Sequence, residues 1–213
     1  MDLTALRQEM DAIHWLHTMP LGELGMTKGY FTLEQEAAQA AYMHIPEDLR
    51  GKRVLDVGAW DGLWSFEAER RGASLVVALD TWDGKGSQVG GRLLPKPTRE
   101  GFDFAKRVLG SRVYPIQGTV SNLCYELESP LPCLEAIVFD TKFDVVLFLG
   151  VLYHLRHPLW ALERIRSVMA DDGLLILETH VDLLSVPRPA VAFYEGAEAG
   201  EDPTNWWGPN TAA

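Results

Sequence analysis

The sequence predicts one α/β domain with an open, mostly parallel, Rossmann-like sheet. From Arg53 onward, five short apolar segments alternate with segments of helical periodicity. Several of these segments are continuously apolar, which is typical of strands covered on both faces, as in parallel sheets. The length of 213 residues, 47% of them hydrophobic, suits one domain, or one domain with an appendage.

Charge and composition exclude several other classes. Thirty acidic against 19 basic residues give a net charge of -11, which argues against a general nucleic-acid binder. No apolar run is as long as a membrane span, and the charged, amphipathic N-terminus does not resemble a secretory signal. Cys124 and Cys133 lack the spacing of a disulfide framework or a zinc site, so no metal is expected. We therefore expect a cytoplasmic protein without a membrane partner.

Residues 1–46 form the first predicted unit, which consists of helices and a loop. Residues 3–12 suit a short amphipathic helix, and a loop from His14 to Tyr30 follows. Thr32 begins a second helix, because Gln35 stands at the spacing of a capping box. Pro46 ends this helix.

The first half of the predicted core, residues 47–182, contains three strands and two helices. A glycine-containing loop follows the first strand, Gly72 ends the first helix, and a long loop from Thr81 to Thr98 precedes the second helix. The second helix carries the apolar residues Phe102, Ala105, Val108 and Leu109. The predicted strands are Val54–Val57, Leu75–Leu79 and Val113–Ile116, and the first helix spans roughly Leu63 to Arg71.

The second half of the core contains two more strands, Val145–Leu149 and Leu174–Leu177. Pro158 suits the first turn of the helix between them, and Gly173 is expected to end it. The predicted buried face of this helix consists of Leu159, Leu162, Ile165 and Val168. Residues 183–213 remain as a C-terminal tail.

Ligands of such sheets bind at the carboxyl ends of the strands, near the point where strand order reverses. After the first strand, Gly58 permits a tight turn and close approach of a ligand, and Gly62 lets a helix start against the strand. Asp56 at the strand end suits a ligand with a cationic ammonium, such as S-adenosylmethionine. Asp80 lies 22 residues after Gly58, the spacing of an acid that binds ribose hydroxyls. The alternative is that both acids are ordinary solvated loop residues.

The other strand ends complete the predicted site. The turn at Thr119 suits adenine, or is a plain turn. Gly150 is expected under the methionine part of the ligand, and Tyr153 and His154 then face the transferred group, where they could bind or deprotonate an acceptor. A packing role is the alternative for His154, and a backbone hydrogen bond is the alternative for His180 after the fifth strand. The predicted cofactor-binding residues are Asp56, Gly58, Ala59, Trp60, Gly62, Asp80, Thr81, Thr119, Val120 and Gly150, and the predicted catalytic residues are Tyr153, His154 and His180.

These motifs resemble the class I S-adenosylmethionine-dependent methyltransferases. The segment from Gly150 to Leu159, GVLYHLRHPL, is the most specific piece, and it is similar to the group around the tRNA wobble-uridine carboxymethyltransferases. The resemblance runs from about Trp15 to Asn210 and implies S-adenosyl-L-methionine as donor, with carboxy-S-adenosyl-L-methionine as the alternative. Trp60 departs from the family, which usually has a glycine there, so its ring must turn outward or cover the pocket.

The resemblance also implies which residues lie near the substrate and how the C-terminal part of the sheet should continue. It places Trp15, His17 and Lys28 in a loop over the cofactor and Asn205 and Trp206 beside the substrate. Lys28 stands where relatives have proline and could equally be a solvated lysine. Class I sheets have two further strands after the fifth, so the tail is expected to be truncated, or the chain is a natural five-strand variant. The fifth strand would then be an exposed edge that supports a homodimer, unless the tail folds back over it.

Charge favours a small-molecule acceptor, a sugar or secondary metabolite, over tRNA. The alternative, a tRNA wobble uridine, has local support from residues 83–112, which carry seven bases against three acids. An oxygen acceptor would need a base such as His154 or His180. Two other classes are an NAD-dependent oxidoreductase, disfavoured by Asp56 and the lack of a G-x-G-x-x-G motif, and a non-catalytic protein that binds adenosyl ligands.

Overall fold

A five-stranded parallel sheet organises the computed structural model, which describes residues 2–84, 88–89, 92–93, 98–123, 142–182 and 186–213. The helices are α1 (Leu3–Ala12), α2 (Leu33–Met43), α3 (Leu63–Arg70), α4 (Arg99–Leu109) and α5 (Pro158–Val168). The strands are β1 (Arg53–Val57), β2 (Leu75–Asp80), β3 (Gln88–Val89), β4 (Arg92–Leu93), β5 (Tyr114–Gln117), β6 (Phe143–Leu149), β7 (Met169–Glu178), β8 (Val191–Phe193) and β9 (Trp207–Pro209). Cys124 and Cys133 lie outside the described residues.

The strand order of the main sheet is β5-β2-β1-β6-β7, and every pair in it is parallel. The chain moves outward from β1 to β5 on one side and from β6 to β7 on the other. The order therefore reverses between β1 and β6, whose carboxyl ends flank the switch point. The predicted fold class is confirmed.

Alternate residues of the central strands point into two apolar layers. Val54 and Leu147 face one layer with Phe66 and Phe102, and Leu55 faces the other with Ile165. These side chains are at most 8% exposed. Burial of each large apolar side chain stabilises the fold by about 1.5–3 kcal/mol. Both faces of the sheet are thus covered, as the continuous apolar strands predict.

The N-terminal helices form where the sequence predicts them. The Thr32 hydroxyl accepts a hydrogen bond from the Gln35 amide, and the Gln35 side chain accepts one from the Thr32 amide, which confirms the capping box. The helix ends at Met43, and His44 follows in the left-handed conformation with φ of 48°. In the described part of the chain no helix is long and apolar enough to cross a membrane.

The end of α5 is a correction. The helix stops at Val168, because Met169 is already extended with φ of -82° and ψ of 148°. Gly173 therefore lies inside β7, after an irregular register between the first two pairs of β6 and β7. Leu159 was also predicted wrongly, since it is 74% exposed and Ala161 is buried in its place. Ala161, Ile165 and Val168, at helical spacings of four and three, form the face that packs on the sheet.

Among the described residues, β7 is an edge strand of the main sheet. It pairs with β6 alone, and Leu174 and Leu177 are more than 40% exposed. The described residues of the tail add no strand to this edge, because β8 pairs with β9 in a separate antiparallel hairpin. The strand Trp207–Pro209 was not predicted from the sequence.

Gly62, directly before α3, provides a stability test. Its φ is 92°, and an added Cβ would lie 2.5 Å from Phe66 Cε2 and 2.8 Å from Phe102 Cδ2. Gly110 after α4 is the control, because its φ is 60° and nothing lies within 4 Å of an added Cβ. We expect Gly110→Ala to cost about 1 kcal/mol through backbone strain. Gly62→Ala should cost about 1–3 kcal/mol more through overpacking. Urea unfolding measures both, and equal losses would contradict the packing role of Gly62.

Candidate active site

The buried carboxylate of Asp61 attaches the N-terminal segment to the loop after β1. Its Oδ2 accepts hydrogen bonds from the backbone amides of Leu16 and His17, both at 2.9 Å. Its Oδ1 pairs with Nδ1 of the His17 ring. Asp61 is 2% exposed and His17 8%. Sequence reasoning missed Asp61, although it is an acid within the glycine-containing loop.

Asp80 connects the loop after β1 to the loop after β2. Its Oδ2 accepts from the Trp60 amide at 2.9 Å, and its Oδ1 accepts from the Trp82 amide at 3.0 Å. The Trp82 indole in turn donates to the Trp60 carbonyl at 2.7 Å. Burial raises the pKa of Asp80, and the amides that it binds oppose that rise. Asp80 thus ends β2, and two amides hold its carboxylate in place; its contact with a ribose stays a prediction.

Trp60 has a backbone conformation that favours glycine. Its φ is 49°, in the left-handed region that favours glycine, and Trp82 across the loop has φ of 40°. Each such backbone costs about 1–3 kcal/mol and persists only where its surroundings enforce it. The hydrogen bonds to Asp80 and between the two tryptophans provide that enforcement.

Asp56 is buried below this loop and does not point freely into a cleft. Its Oδ2 accepts a hydrogen bond from the Ser65 hydroxyl at 2.5 Å, and burial raises the pKa of Asp56 to about 6. Its contact with a ligand ammonium stays a prediction. The space next to Gly58 is filled by the Val151 side chain, so Gly58 admits the loop after β6. Gly62 leaves room for two phenylalanine rings.

A second group of polar side chains lies at the ends of β6 and β7. Beside Gly150, whose φ is 69°, the position of an added Cβ lies 3.5 Å from Glu178 Oε2 and 3.7 Å from the Tyr153 hydroxyl. Burial raises the pKa of Tyr153 to about 12, and the charges of Glu178 and Asp202 add to that rise. Burial also raises the pKa of Glu178. Sequence reasoning missed Glu178, which is the last residue of β7.

The tail contacts both predicted catalytic histidines. His154 Nδ1 lies 2.9 Å from the Thr204 hydroxyl oxygen, and that hydroxyl donates to Asp202 at 2.6 Å. His180 Nε2 lies 3.1 Å from the Tyr194 hydroxyl, which donates to Asp182 at 2.6 Å. The structure therefore brings the tail to the same edge of the sheet as Tyr153 and His154.

The three predicted substrate-binding residues of the N-terminal segment each have a partner within the protein. Trp15 is 2% exposed, donates through its indole to the Met10 carbonyl at 2.9 Å, and packs edge-on against Phe104. Its ring belongs to the apolar core, in the same cluster as Met10 of α1. Lys28 lies at the surface, where it pairs with Asp11 at 2.7 Å, as the solvated alternative predicted. His17 is turned inward to Asp61.

The remaining predicted residues lie along the strand ends. Thr81 donates to Asp80 at 3.4 Å, Thr119 is exposed, and Val120 belongs to the apolar core. The Trp206 amide donates to the Tyr153 carbonyl at 2.8 Å, and its ring lies 4.6 Å from the Arg156 guanidinium. Ala59 is buried within the loop after β1.

Asn205, predicted on the substrate side, is held by the tail itself. Its side-chain amide donates to the Ala199 carbonyl at 2.8 Å. Its Oδ1 is buried and has no hydrogen-bond partner within the described part of the chain. No group of His, Cys, Asp and Glu side chains that could hold a metal occurs among the described residues.

The His17–Asp61 pair predicts a pH dependence of stability. Burial lowers the pKa of His17, but the charge and hydrogen bond of Asp61, with Glu36 and Asp56, raise it above 6.5 overall. The stabilisation is therefore complete below pH 6.5 and is lost as the pH rises through the folded-state pKa. We expect Asp61→Asn to remove this dependence and to cost about 1–3 kcal/mol at pH 6. Urea unfolding against pH tests this, with exposed His14→Gln as control. An unchanged slope in Asp61→Asn would contradict the pairing.

A family model described as a methyltransferase domain matches residues 31–212. Among curated relatives, the tRNA U34 carboxymethyltransferase of Pseudomonas paraeruginosa is 31% identical over 134 residues, which are 63% of this chain and 34% of that protein. The enzyme of the same name from Klebsiella pneumoniae (strain 342) is 32% identical over 137 residues, 63% of this chain and 33% of that protein. The chain thus spans about a third of the length of these relatives.

The solved structures agree on the fold. The N-terminal domain of EvdMO1, crystallised in the presence of SAH and D-fucose, has a TM-score of 0.56 and 17% identity, and the match covers all of this chain and 83% of that one. The same domain with SAH bound gives a TM-score of 0.54. Because the family model spans most of the chain, the resemblance to class I S-adenosylmethionine-dependent methyltransferases is confirmed, and this chain belongs to the methyltransferase domain family.

Proposed function

We propose that this protein transfers a methyl group from S-adenosylmethionine to a small-molecule acceptor, a sugar or a secondary metabolite. The observation that carries the proposal is the bridge made by Asp80, which joins the loops after β1 and β2 at the switch point of the sheet. A carboxylate held there by two amides is ready to accept hydrogen bonds from ribose hydroxyls. Domain family and fold support methyl transfer from S-adenosylmethionine, without distinguishing between acceptors.

The charges around the loop after β1 fit a cationic donor. Asp56, Asp61 and Asp80 are all at most 9% exposed, and the His17 ring pairs with Asp61. A sulfonium with an ammonium group would find a negative field there. When bound, the donor supplies an activated methyl group. The chain's own residues would hold the ribose at Asp80 and exclude water with the N-terminal segment.

The acceptor side is formed by Tyr153, His154, Glu178 and His180. His180, whose charge interacts with that of Glu178, suits an acceptor that must lose a proton. Burial lowers the pKa of His154, so this ring is neutral near pH 7 and able to take a proton. The net charge of -11 favours a small acceptor over an anionic polymer.

A tRNA acceptor is the second candidate, because relatives at 31–32% identity are tRNA U34 carboxymethyltransferases. Three arginines in the described part of residues 83–112 have acidic partners, which weakens this candidate. Arg99 pairs with Asp103, and Arg107 pairs with Glu9. Arg112 lies 3.8 Å from Glu69. These ion pairs reduce the positive field that a tRNA would need.

A transfer assay separates the candidates. The full chain is incubated with S-adenosylmethionine carrying a labelled methyl group, in one arm with bulk tRNA and in another with a fractionated extract of small metabolites. We expect label in a small-molecule fraction and none in tRNA above a heat-inactivated control. Label in tRNA alone would contradict the small-molecule assignment, and binding of NAD in place of S-adenosylhomocysteine would favour an oxidoreductase.

Asp80→Asn tests the donor site. Because an amide cannot replace both oxygens of the carboxylate, we expect affinity for S-adenosylhomocysteine to fall by about 1.5–3 kcal/mol, tenfold or more. Calorimetric titration measures the affinity. Asp103→Asn is the matched control, since Asp103 pairs with Arg99 on the surface of α4. Equal affinities in the two variants would contradict the ribose assignment.

The edge of β7 carries the proposed homodimer. Leu174 and Leu177 leave apolar surface along a strand whose outer side has no described partner strand. We expect light scattering to show a dimer at high protein concentration and Leu177→Lys to shift it to monomer. Leu159→Lys, an equally drastic change at an exposed position of α5, is the control. A monomer at all concentrations would contradict the exposed-edge model.

A further inference from the structure

Three residues form a hydrogen-bonded chain from the tail to the loop after β6. Asp202 is 1% exposed, and its Oδ1 accepts from the backbone amide of Thr204 at 2.8 Å and from the Thr204 hydroxyl at 2.6 Å. The same hydroxyl oxygen lies 2.9 Å from His154 Nδ1, and the Thr204 carbonyl oxygen lies 3.2 Å from it. Both atoms of Thr204 that face the ring are therefore oxygens.

The donors and acceptors of this chain determine where the proton of His154 sits. A hydroxyl has one hydrogen, and Thr204 gives it to a carboxylate, which can only accept. The Thr204 hydroxyl oxygen must then accept from His154, and the carbonyl oxygen can do nothing else. Nδ1 consequently carries the hydrogen. A neutral imidazole has one N–H, so Nε2 keeps a free lone pair.

This tautomer is not the one that a free histidine prefers. In water the neutral imidazole of histidine carries its hydrogen mainly on Nε2, so a ring held with the hydrogen on Nδ1 needs acceptors at that atom. Two described oxygens, both from Thr204, provide them. The neighbouring titratable groups do not compete for Nδ1: Tyr153 stacks on the ring at 4.2 Å between centroids, and Asp202 acts through Thr204.

We propose that Thr204 and Asp202 are positioning residues that hold His154 as the Nδ1–H tautomer, so that Nε2 accepts the proton of a hydroxyl acceptor. The inference rests on the proposed methyl transfer and names its acceptor class. As the acceptor oxygen forms its bond to the methyl carbon, its O–H bond breaks and the proton passes to Nε2. The methyl–sulfur bond breaks with its electron pair on sulfur, which becomes neutral. The imidazolium then releases the proton to water.

The test reads the tautomer directly and needs no acceptor. The full chain is labelled with 15N in its histidine rings, and long-range proton–nitrogen correlation spectra are recorded at a pH where His154 is neutral. The His154 signals are identified by their absence in His154→Gln. We expect a protonated Nδ1 and an unprotonated Nε2. A His154 with its hydrogen on Nε2 would overturn the proposal.

Two substitutions separate positioning from folding. Thr204→Val removes the hydroxyl and keeps the shape, so we expect the Nε2–H form of His154 to become measurable. Thr204→Ser keeps the hydroxyl and should restore the Nδ1–H form. Titration with S-adenosylhomocysteine checks that both variants keep the donor site. An unchanged tautomer in Thr204→Val, with the protein folded, would contradict the role of Thr204.

The outcomes also separate this inference from the proposed function. Binding of S-adenosylhomocysteine together with an Nε2–H His154 overturns the positioning role and leaves the methyltransferase assignment standing. An Nδ1–H His154 in a chain that does not bind S-adenosylhomocysteine overturns the methyltransferase assignment and leaves the Thr204 contact standing.

Discussion

The carboxylate of Asp61 is the contact on which the architecture of the site depends. It accepts hydrogen bonds from the backbone amides of residues 16 and 17 and pairs with the ring nitrogen of His17. These residues lie more than forty positions earlier in the chain. Without it, the N-terminal segment would have no polar attachment to the loop after β1 at this point. Asp80 makes the equivalent connection between the loops after β1 and β2. Buried carboxylates that accept amide hydrogens thus shape the carboxyl edge of the sheet.

The candidate site has two halves with different side-chain chemistry. Around the loop after β1, acids predominate, and burial raises the pKa values of Asp56 and Asp80. At the ends of β6 and β7, aromatic and imidazole groups predominate, and the tail supplies the hydroxyls that orient them. A cationic donor suits the first half, and an acceptor that gives up a proton suits the second. The switch point between β1 and β6 brings the halves together.

Much of the fold follows from local patterns in the sequence. Continuous apolar runs identify the strands, and the Thr32–Gln35 spacing identifies a helix start, because both depend on neighbouring residues alone. The end of α5 at Val168 could not be predicted, since tertiary pairing of Met169 with Phe143 overrides the stop signal of Gly173. Left-handed Trp60 was also unexpected, because its strain is offset by contacts with distant residues.

The candidate site was likewise predictable only where it depends on neighbouring residues. The positions of Asp80 and Gly150 at the ends of strands could be predicted from neighbouring residues. The contacts of Asp61 with residues 16 and 17, and of Thr204 with His154 fifty residues earlier, could not, because the partners are distant in the sequence. The central claim is that the Asp80 edge binds an adenosyl sulfonium compound. Calorimetric titration of the full chain with S-adenosylmethionine, with NAD as the comparison ligand, tests it most directly. We expect saturable one-to-one binding of S-adenosylmethionine and none of NAD. Binding of NAD alone, or of neither ligand, would contradict it.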